Sequence, residues 1–248
     1  MPHRYGTPTP SPRPSSAAAL SAALRSHADP AKARQLARFF KTGPGQYAEG
    51  DRFLGIVVPV LRTIARRHLR LSERAIDALM ASPYHEERLA ALLVLVERFA
   101  AGKEEERARV YAAYVRNLAR VDNWDLVDLT APCIAGGHLA DRDRTPLYEW
   151  ARSPRLWTRR VAIVATHAFI RRGDFADTFA IAALLLDDPE DLIHKATGWM
   201  LREVGKRKVE VLEGFLSEYY RSMPRTMLRY AIEKLPEPRR QAWLKGRV

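Results

Sequence analysis

The 248-residue chain contains a single cysteine, Cys133, and its seven histidines show no regular metal-binding spacing. One cysteine cannot form a disulfide within the chain, and it excludes zinc or iron–sulfur sites built from several cysteines. No apolar run approaches the ~20 residues that a membrane-spanning helix requires. We therefore expect a protein of a reducing, cytoplasmic compartment, with no metal, cofactor or membrane segment and with Cys133 as a small buried residue.

The first fifteen residues are rich in proline, serine and threonine and lack the apolar stretch of a secretory signal peptide. A segment of this composition cannot bury enough apolar surface to offset the entropy lost on folding. The sequence therefore predicts a disordered tail over residues 1–15, followed by a single folded domain over residues 16–248.

Basic residues outnumber acidic ones, with 41 lysines and arginines against 29 aspartates and glutamates and a net charge of +12. Such an excess favours a polyanionic partner, most commonly nucleic acid. A basic protein without a nucleic-acid partner is the alternative that charge alone leaves open. The positions of particular side chains must therefore decide between them.

Strand patterns are almost absent, whereas helical periodicity recurs along the chain, often with proline in the first turn. Four similar dipeptides open helices, namely Ser82-Pro83, Ser153-Pro154, Asp188-Pro189 and Met223-Pro224. A basic residue follows each proline by five or six positions, and these basic residues are separated by 72, 35 and 34 positions. A period of about 35 residues is typical of all-α solenoids built from pairs of helices.

The same period places side chains of unlike chemistry at equivalent positions of successive helices. The first set contains Arg88, Trp124, Arg160, Lys195 and Arg229, and the set one turn later contains Leu92, Asp128, Val164, Trp199 and Glu233. Equivalent positions of a solenoid lie side by side on one surface. Two tryptophans, a carboxylate and two cations are thus expected on one surface, although each could separately be a core or surface residue.

Two local patterns concern the helix that carries Trp124 and Asp128. Asp122 or Asn123 can cap its first turn, because both side chains accept hydrogen bonds from free backbone N–H groups. The pair Gly136-Gly137 lacks the GxxxxGK pattern of a phosphate-binding loop, so we expect it to end a helix.

Four segments of the chain resemble the HEAT-like-repeat alkylpurine DNA glycosylases, the AlkD type of DNA alkylation repair enzyme. They are FLGIVVP at 53–59, NWDLVD at 123–128, LWTRRVAI at 156–163 and KATGWMLRE at 195–203. The resemblance extends over most of the chain after Ser16. It implies an all-α fold, an α-solenoid of paired antiparallel HEAT-like helical repeats with a concave basic groove for duplex DNA.

The resemblance also implies an activity, because members of this family excise N3- and N7-alkylated purines from duplex DNA by cleaving the N-glycosidic bond. By residue match, Trp124 and Trp199 would flank the damaged nucleotide and Asp128 would be the catalytic carboxylate. Arg160 would lie near the DNA backbone in the same site. The further DNA-binding candidates are Arg159, Lys195 and Arg202. We expect a monomer that binds alkylated duplex DNA without a cofactor or a metal.

Two other functions fit parts of the pattern. A non-catalytic HEAT-like protein that binds damaged or branched DNA would retain the groove, although the presence of both tryptophans, Asp128 and Arg160 argues against it. A scaffold for an acidic protein would need only the solenoid and the basic charge. Salt-dependent binding to unmodified duplex DNA separates the two DNA-binding functions from the scaffold.

Overall fold

The computed structural model describes residues 16–247, so the predicted tail over residues 1–15 lies outside the described residues. Within residues 16–247 the only extended pairing is an isolated bridge between Arg52 and Tyr84. The helices are α1 (Ala17–Arg25), α2 (Pro30–Phe39), α3 (Val58–Arg66), α4 (Glu73–Met80), α5 (His85–Ala101), α6 (Glu104–Arg116), α7 (Trp124–Thr130), α8 (Gly137–Leu139), α9 (Thr145–Ala151), α10 (Leu156–Ala165), α11 (His167–Ile170), α12 (Ala176–Leu184), α13 (Asp191–Gly205), α14 (Val209–Tyr219), α15 (Arg225–Ala231) and α16 (Glu237–Lys245). A 3-10 turn (Leu118–Arg120) precedes α7, and a π-helical turn (Pro132–Gly136) precedes α8.

The helices form the two layers of an α-solenoid. The inner layer consists of α5, α7, α10, α13 and α15, each of which packs against the next. The outer layer consists of α4, α6, α9, α12 and α14, which pack against the inner helices. Because each unit buries its apolar side against its neighbours, one apolar core runs from Leu20 to Trp243. The all-α solenoid predicted from the sequence is confirmed.

The start of α7 shows how the sequence places the helix that carries Trp124 and Asp128. Of the two predicted capping residues, Asn123 caps the helix, and its side-chain oxygen accepts a hydrogen bond from the backbone N–H of Trp124 at 2.8 Å. Asn123 is fully buried. Its capping contact therefore starts the helix at one defined residue.

Two local predictions are wrong. Gly136 and Gly137 do not end a helix, since both have helical backbone angles and continue the chain through the π-helical turn into α8. Pro132 lacks the N–H of a regular helical hydrogen bond, and the helix widens there without ending. Gly136 instead permits close packing, because a Cβ atom there would lie 2.2 Å from the carbonyl oxygen of Ala165. Cys133, expected to be buried, is exposed.

The segment before α3 is held in place by a buried carboxylate. Glu86, in the first turn of α5, accepts hydrogen bonds from the backbone N–H groups of Leu54 and Gly55 at 2.8 Å and of Ile56 at 3.2 Å. Gly55 has a φ of +88°, and a Cβ atom there would lie 2.1 Å from the carbonyl oxygen of Asp29. The FLGI sequence thus has a structural explanation, because only glycine fits this position.

A glycine also brings α13 and α15 together. A Cβ atom at Gly198 would lie 2.4 Å from the carbonyl oxygen of Met227 and 2.6 Å from the Cβ of Tyr230. We therefore expect Gly198→Ala to lower the free energy of unfolding by about 1–3 kcal/mol. Gly214→Ala in α14 is the matched control, because among residues 16–247 no atom outside its chain neighbours and its own helix backbone lies within 4 Å of the added Cβ, and it should leave stability unchanged or raise it slightly. Equal responses of the two variants in chemical denaturation would contradict this account.

Candidate functional site

The inner-layer helices line a cleft of about 510 Å³. Its walls contain six of the seven residues predicted for the site, namely Trp124, Asp128, Arg160, Lys195, Trp199 and Arg202. Five further residues complete the lining, namely Phe39, Lys41, Tyr47, Leu192 and Tyr230. The two tryptophans, the carboxylate and the two cations that the 35-residue period placed on one surface therefore lie around one cavity, whereas the other five positions of the register do not line it.

The seventh predicted residue, Arg159, does not line this cleft. Its Nε atom lies 2.5 Å from the Oδ2 atom of Asp188, and its Nη1 atom donates to the carbonyl oxygen of Ser153 at 2.9 Å. Both members of this ion pair are largely buried. Arg159 therefore ties the start of α10 to the turn before α13, and its contact with DNA stays a prediction.

Asp128 is held by a bidentate ion pair with Arg160. The Nε and Nη2 atoms of Arg160 donate to the two carboxylate oxygens at 2.9 and 2.8 Å, and its Nη1 atom donates to the carbonyl oxygen of Leu192 at 2.5 Å. Arg160 is buried, with only 5% of its surface exposed. All three guanidinium nitrogens thus have protein partners, and together they fix the direction of the Asp128 carboxylate.

The environment of Asp128 also sets its affinity for protons. Burial raises the pKa of the Asp128 carboxyl above its ordinary value, and the charge and hydrogen bonds of Arg160 oppose that effect. The nearby Asp125 carboxylate adds to the rise. Arg160 is therefore the principal group that favours the ionised form of Asp128.

Trp124 is oriented by aromatic neighbours and by one hydrogen bond. Its ring stacks on Phe40, with centroids 5.0 Å apart and planes 13° from parallel, and it meets Phe39 edge-on at 5.9 Å. The indole N–H donates to the hydroxyl oxygen of Tyr47 at 3.2 Å. These contacts leave the indole few alternative orientations. The three neighbours come from α2 and the loop after it, which lie outside the repeat register, so the sequence analysis did not place them in the site. The cluster of aromatic residues in this segment was the sequence feature that could have indicated them.

Trp199 lies on the α13 side of the cleft, and its contacts come from side chains of α11 and α13. Its ring packs against His167, with centroids 6.1 Å apart, and it helps to keep the pKa of the Glu203 carboxyl, one turn further along α13, below its ordinary value. Glu203 is buried, and both of its carboxylate oxygens lie 2.9 Å from the Nζ atom of Lys206. The two tryptophans of the cleft therefore come from α7 and α13, and α10 lies between these helices with Arg160.

The start of α7 is anchored by a buried network around His85. The Nδ1 atom of His85 lies 3.0 Å from Asp51, its Nε2 atom lies 2.8 Å from Asp125, and Arg88 donates to Asp51 at 2.8 Å. Burial alone would lower the pKa of His85, but the hydrogen bonds and charges of the two carboxylates outweigh it and raise the pKa to about 9. At neutral pH His85 is therefore a cation that donates to both carboxylates and fixes Asp125, the neighbour of Trp124.

A protein family and a solved structure match most of the length of this chain. The sequence model of the family described as DNA alkylation repair enzyme matches residues 20–235, which include every residue of the cleft. The chain belongs to the DNA alkylation repair enzyme family. This membership confirms the coarser part of the expected resemblance and supports an enzymatic role in the repair of alkylated DNA.

A solved structure gives independent support for the fold of this DNA alkylation repair family member. A protein described as a predicted DNA alkylation repair enzyme from Enterococcus faecalis matches with a TM-score of 0.66 and 18% sequence identity. The match covers 85% of this chain and 97% of that one. At this identity the likeness concerns the fold. No curated protein matches the sequence.

The cleft of this DNA alkylation repair family member suits an anionic polymer. Its lining carries four cations, Lys41, Arg160, Lys195 and Arg202, against one carboxylate, Asp128. Lys195 lines the cleft while paired with Asp191 at 2.8 Å. Among residues 16–247, no helix is long and apolar enough to cross a membrane. Nor do three histidine, cysteine, aspartate or glutamate side chains within this part of the chain come together as metal ligands.

Proposed function

We propose that this protein is a DNA glycosylase that excises cationic N3- and N7-alkylated purines from duplex DNA, in base excision repair of alkylation damage. The observation that carries the proposal is the cleft that brings Trp124 and Trp199 together with the Asp128–Arg160 pair. The family of DNA alkylation repair enzymes supplies the class of substrate, and the cleft supplies groups suited to cleaving an N-glycosidic bond.

The chemistry follows from the charge of the damaged base. An N3- or N7-alkylated purine carries a formal positive charge, so it departs with the bonding electron pair as a neutral base. Positive charge then develops on C1′ and the ring oxygen of the deoxyribose, where the Asp128 carboxylate stabilises it. A water molecule oriented by Asp128 adds its oxygen to C1′ and loses a proton through the carboxylate to solvent. The products are the free base and an abasic site.

The two tryptophans add selectivity for charged lesions. An indole face attracts a nearby cation by roughly 0.5–2 kcal/mol, and Trp124 and Trp199 both line the cleft. A neutral base gains no such attraction and is a poorer leaving group. We therefore expect the enzyme to act on cationic lesions and to leave neutral lesions in place.

The contacts of Arg160 favour a role different from the backbone contact that the resemblance implied. All three of its guanidinium nitrogens already have partners in the protein, two of them on Asp128. We infer that Arg160 acts as a positioning residue, which aims the carboxylate and keeps it ionised. The cleft cations Lys41, Lys195 and Arg202 then remain to contact phosphates, although Lys195 and Arg202 must exchange their exposed ion-pair partners, Asp191 and Glu233, to do so.

Arg160→Gln tests this role through the pH dependence of the reaction. Asp128 acts only when ionised, and burial raises its pKa while Arg160 opposes the rise. Without Arg160 the pKa rises further, so the acid limb of the rate profile should move to higher pH. The single-turnover rate at neutral pH should fall about 10²-fold. Arg144→Gln, which removes the arginine from the ion pair with Asp177 outside the cleft, is the control. A wild-type pH profile for Arg160→Gln would contradict the role.

The proposed activity is tested by the release of N7-methylguanine from methylated duplex DNA, measured by chromatography, with binding to unmodified duplex measured at low and high salt. Release of the base, with alkali-sensitive abasic sites left behind, is the expected result. Salt-sensitive binding without release would identify a non-catalytic DNA-binding protein. Neither binding nor release would favour a scaffold for an acidic protein.

A further inference from the structure

Lys41, which follows α2, has an unusual backbone conformation for a residue that lines the cleft. Its φ is +57°, and within residues 16–247 every other residue with a positive φ is a glycine. An L-residue other than glycine rarely adopts this left-handed conformation, because its Cβ atom crowds the following carbonyl oxygen, and lysine is not among the types that adopt it most often. Glycine would make the same turn without this cost. The turn alone therefore does not explain why a lysine is at this position.

The backbone of Lys41 is held on both sides. Its N–H group donates to the carbonyl oxygen of Arg38 at 3.2 Å, and its carbonyl oxygen accepts from the N–H group of Ala48 at 3.3 Å. Strained conformations of this kind persist where the surrounding structure fixes them, and they are concentrated at binding and catalytic sites. Lys41 lines the cleft, so its strained backbone fixes the point from which an ammonium group enters that site.

Lys41 also differs from the other cations of the cleft in its charge pairing. Arg160, Lys195 and Arg202 each form an ion pair with a carboxylate of the protein. Lys41 is exposed, and it forms no ion pair within the part of the chain that the structure describes. An ammonium group without a carboxylate partner binds a phosphate without first giving up an ion pair. Lys41 is therefore the cleft cation best prepared to bind an anion.

The position of Lys41 distinguishes it from the cations of α13. The two phenylalanines that precede it both contact the ring of Trp124, which places Lys41 on the α7 side of the cleft. Lys195 and Arg202 belong to α13, and α10 lies between α7 and α13. The ion pair of Asp128, which joins α7 to α10, thus lies between Lys41 on one side and the two α13 cations on the other.

We propose that Lys41 is a phosphate anchor, which binds the backbone phosphate on the α7 side of the damaged nucleotide, while Lys195 and Arg202 bind phosphate on its α13 side. The inference rests on the proposed function for its substrate, a duplex with the damaged nucleotide at Asp128. Phosphate contacts fix the register of a protein on DNA. Contacts on both sides of Asp128 would prevent the strand from sliding and would hold the deoxyribose against the carboxylate.

Lys41→Ala and Lys41→Gly separate the phosphate contact from the backbone strain. Dissociation constants are measured at several salt concentrations for a duplex with a neutral tetrahydrofuran in place of the damaged nucleotide. Both variants should bind about tenfold more weakly, and the slope of log K against log salt concentration should fall by about one. Lys41→Gly should also raise the Tm by about 2–4 °C, because glycine relieves the strain, whereas Lys41→Ala should not.

The matched control is Lys103→Ala. Lys103 is an exposed lysine that precedes α6 and does not line the cleft, so its replacement removes the same charge at a distance from the proposed contact. Its affinity and salt slope should stay at the wild-type values. An equal loss of affinity in Lys103→Ala and Lys41→Ala would reduce the effect to net charge and overturn the anchor.

Neutral methylphosphonates at single positions identify the phosphate that Lys41 binds. In the wild type, replacing that phosphate should lower the affinity about tenfold, and in Lys41→Ala the same replacement should have no further effect. The phosphate identified in the same way with Lys195→Ala should lie on the other side of the tetrahydrofuran. A single phosphate shared by the two lysines, or no phosphate coupled to Lys41, would overturn the proposal.

These binding measurements need no chemical step, so the anchor and the proposed function fail separately. Release of N7-methylguanine by the wild type, with wild-type binding by Lys41→Ala, would overturn the anchor and leave the glycosylase function standing. Coupling of Lys41 to one phosphate without release of the base would support the anchor and contradict the glycosylase function.

Discussion

Asp128→Asn is expected to lower the rate of N7-methylguanine release by at least about 10²–10³-fold, the loss typical of removing one group that stabilises transition-state charge. Asparagine has nearly the same shape as aspartate but no negative charge, so it cannot stabilise the positive charge that develops on the deoxyribose. Affinity for unmodified duplex DNA should change little, because the cations around the cleft remain. Single-turnover kinetics with saturating enzyme separate the chemical step from binding.

The control for this variant is Asp177→Asn. Asp177 is also a largely buried carboxylate paired with an arginine, Arg144, and it accepts a hydrogen bond from Tyr148 at 2.7 Å. It lies outside the cleft, so its replacement should lower stability while the release rate stays at the wild-type value. A release rate of Asp128→Asn close to that of Asp177→Asn would show that Asp128 is not the catalytic carboxylate.

His85→Ala should give the largest loss of stability, about 3–5 kcal/mol in the free energy of unfolding. The substitution leaves the Asp125 carboxylate buried without the cation that lies 2.8 Å from it, and leaves Asp51 with Arg88 as its remaining cationic partner. Because Asp125 is the neighbour of Trp124, the start of α7 should also lose its defined position. Chemical denaturation measures the stability, and the release rate of the remaining folded protein measures the effect on the site.

The pH dependence of stability gives a second test of His85. Its pKa is about 9 in the folded protein against an ordinary value of 6.5. This difference in pKa corresponds to about 3 kcal/mol in the free energy of unfolding. Because the folded state binds the proton more tightly, this stabilisation is complete below about pH 6.5 and is lost as the pH rises through 9. His85→Ala should therefore remove most of the decline in stability over this range. His27→Ala, at an exposed histidine, should retain it. A decline that persists in His85→Ala would contradict the account.

The sequence predicted the central part of the cleft because a solenoid converts a period along the chain into neighbours in space. Trp124, Asp128, Arg160 and Trp199 are spread over 76 positions of the chain, yet the register of about 35 residues was enough to bring them together. The register also included a residue that does not line the cleft. Arg88 has the right position but is buried against Asp51.

The contacts that orient these residues could not be predicted, because they do not repeat. Tyr47 reaches Trp124 from 77 positions away, through a loop that crosses onto the inner layer, and no periodicity encodes that crossing. Gly136 shows a second limit. A glycine can end a helix or admit a neighbouring helix, and only the nearby carbonyl of Ala165 shows which applies. The register likewise placed Arg160 beside Asp128 but could not show that the arginine pairs with this carboxylate and does not contact DNA phosphate.

The most direct test of the central claim, that the Asp128 carboxylate stabilises positive charge on the deoxyribose, is a comparison of two dissociation constants. One duplex carries a neutral tetrahydrofuran in place of the damaged nucleotide, and the other carries a cationic pyrrolidine of similar shape. The wild type should bind the cationic duplex at least about tenfold more tightly, and this preference should disappear in Asp128→Asn and persist in Asp177→Asn. Equal affinity of the wild type for the two duplexes would contradict the claim.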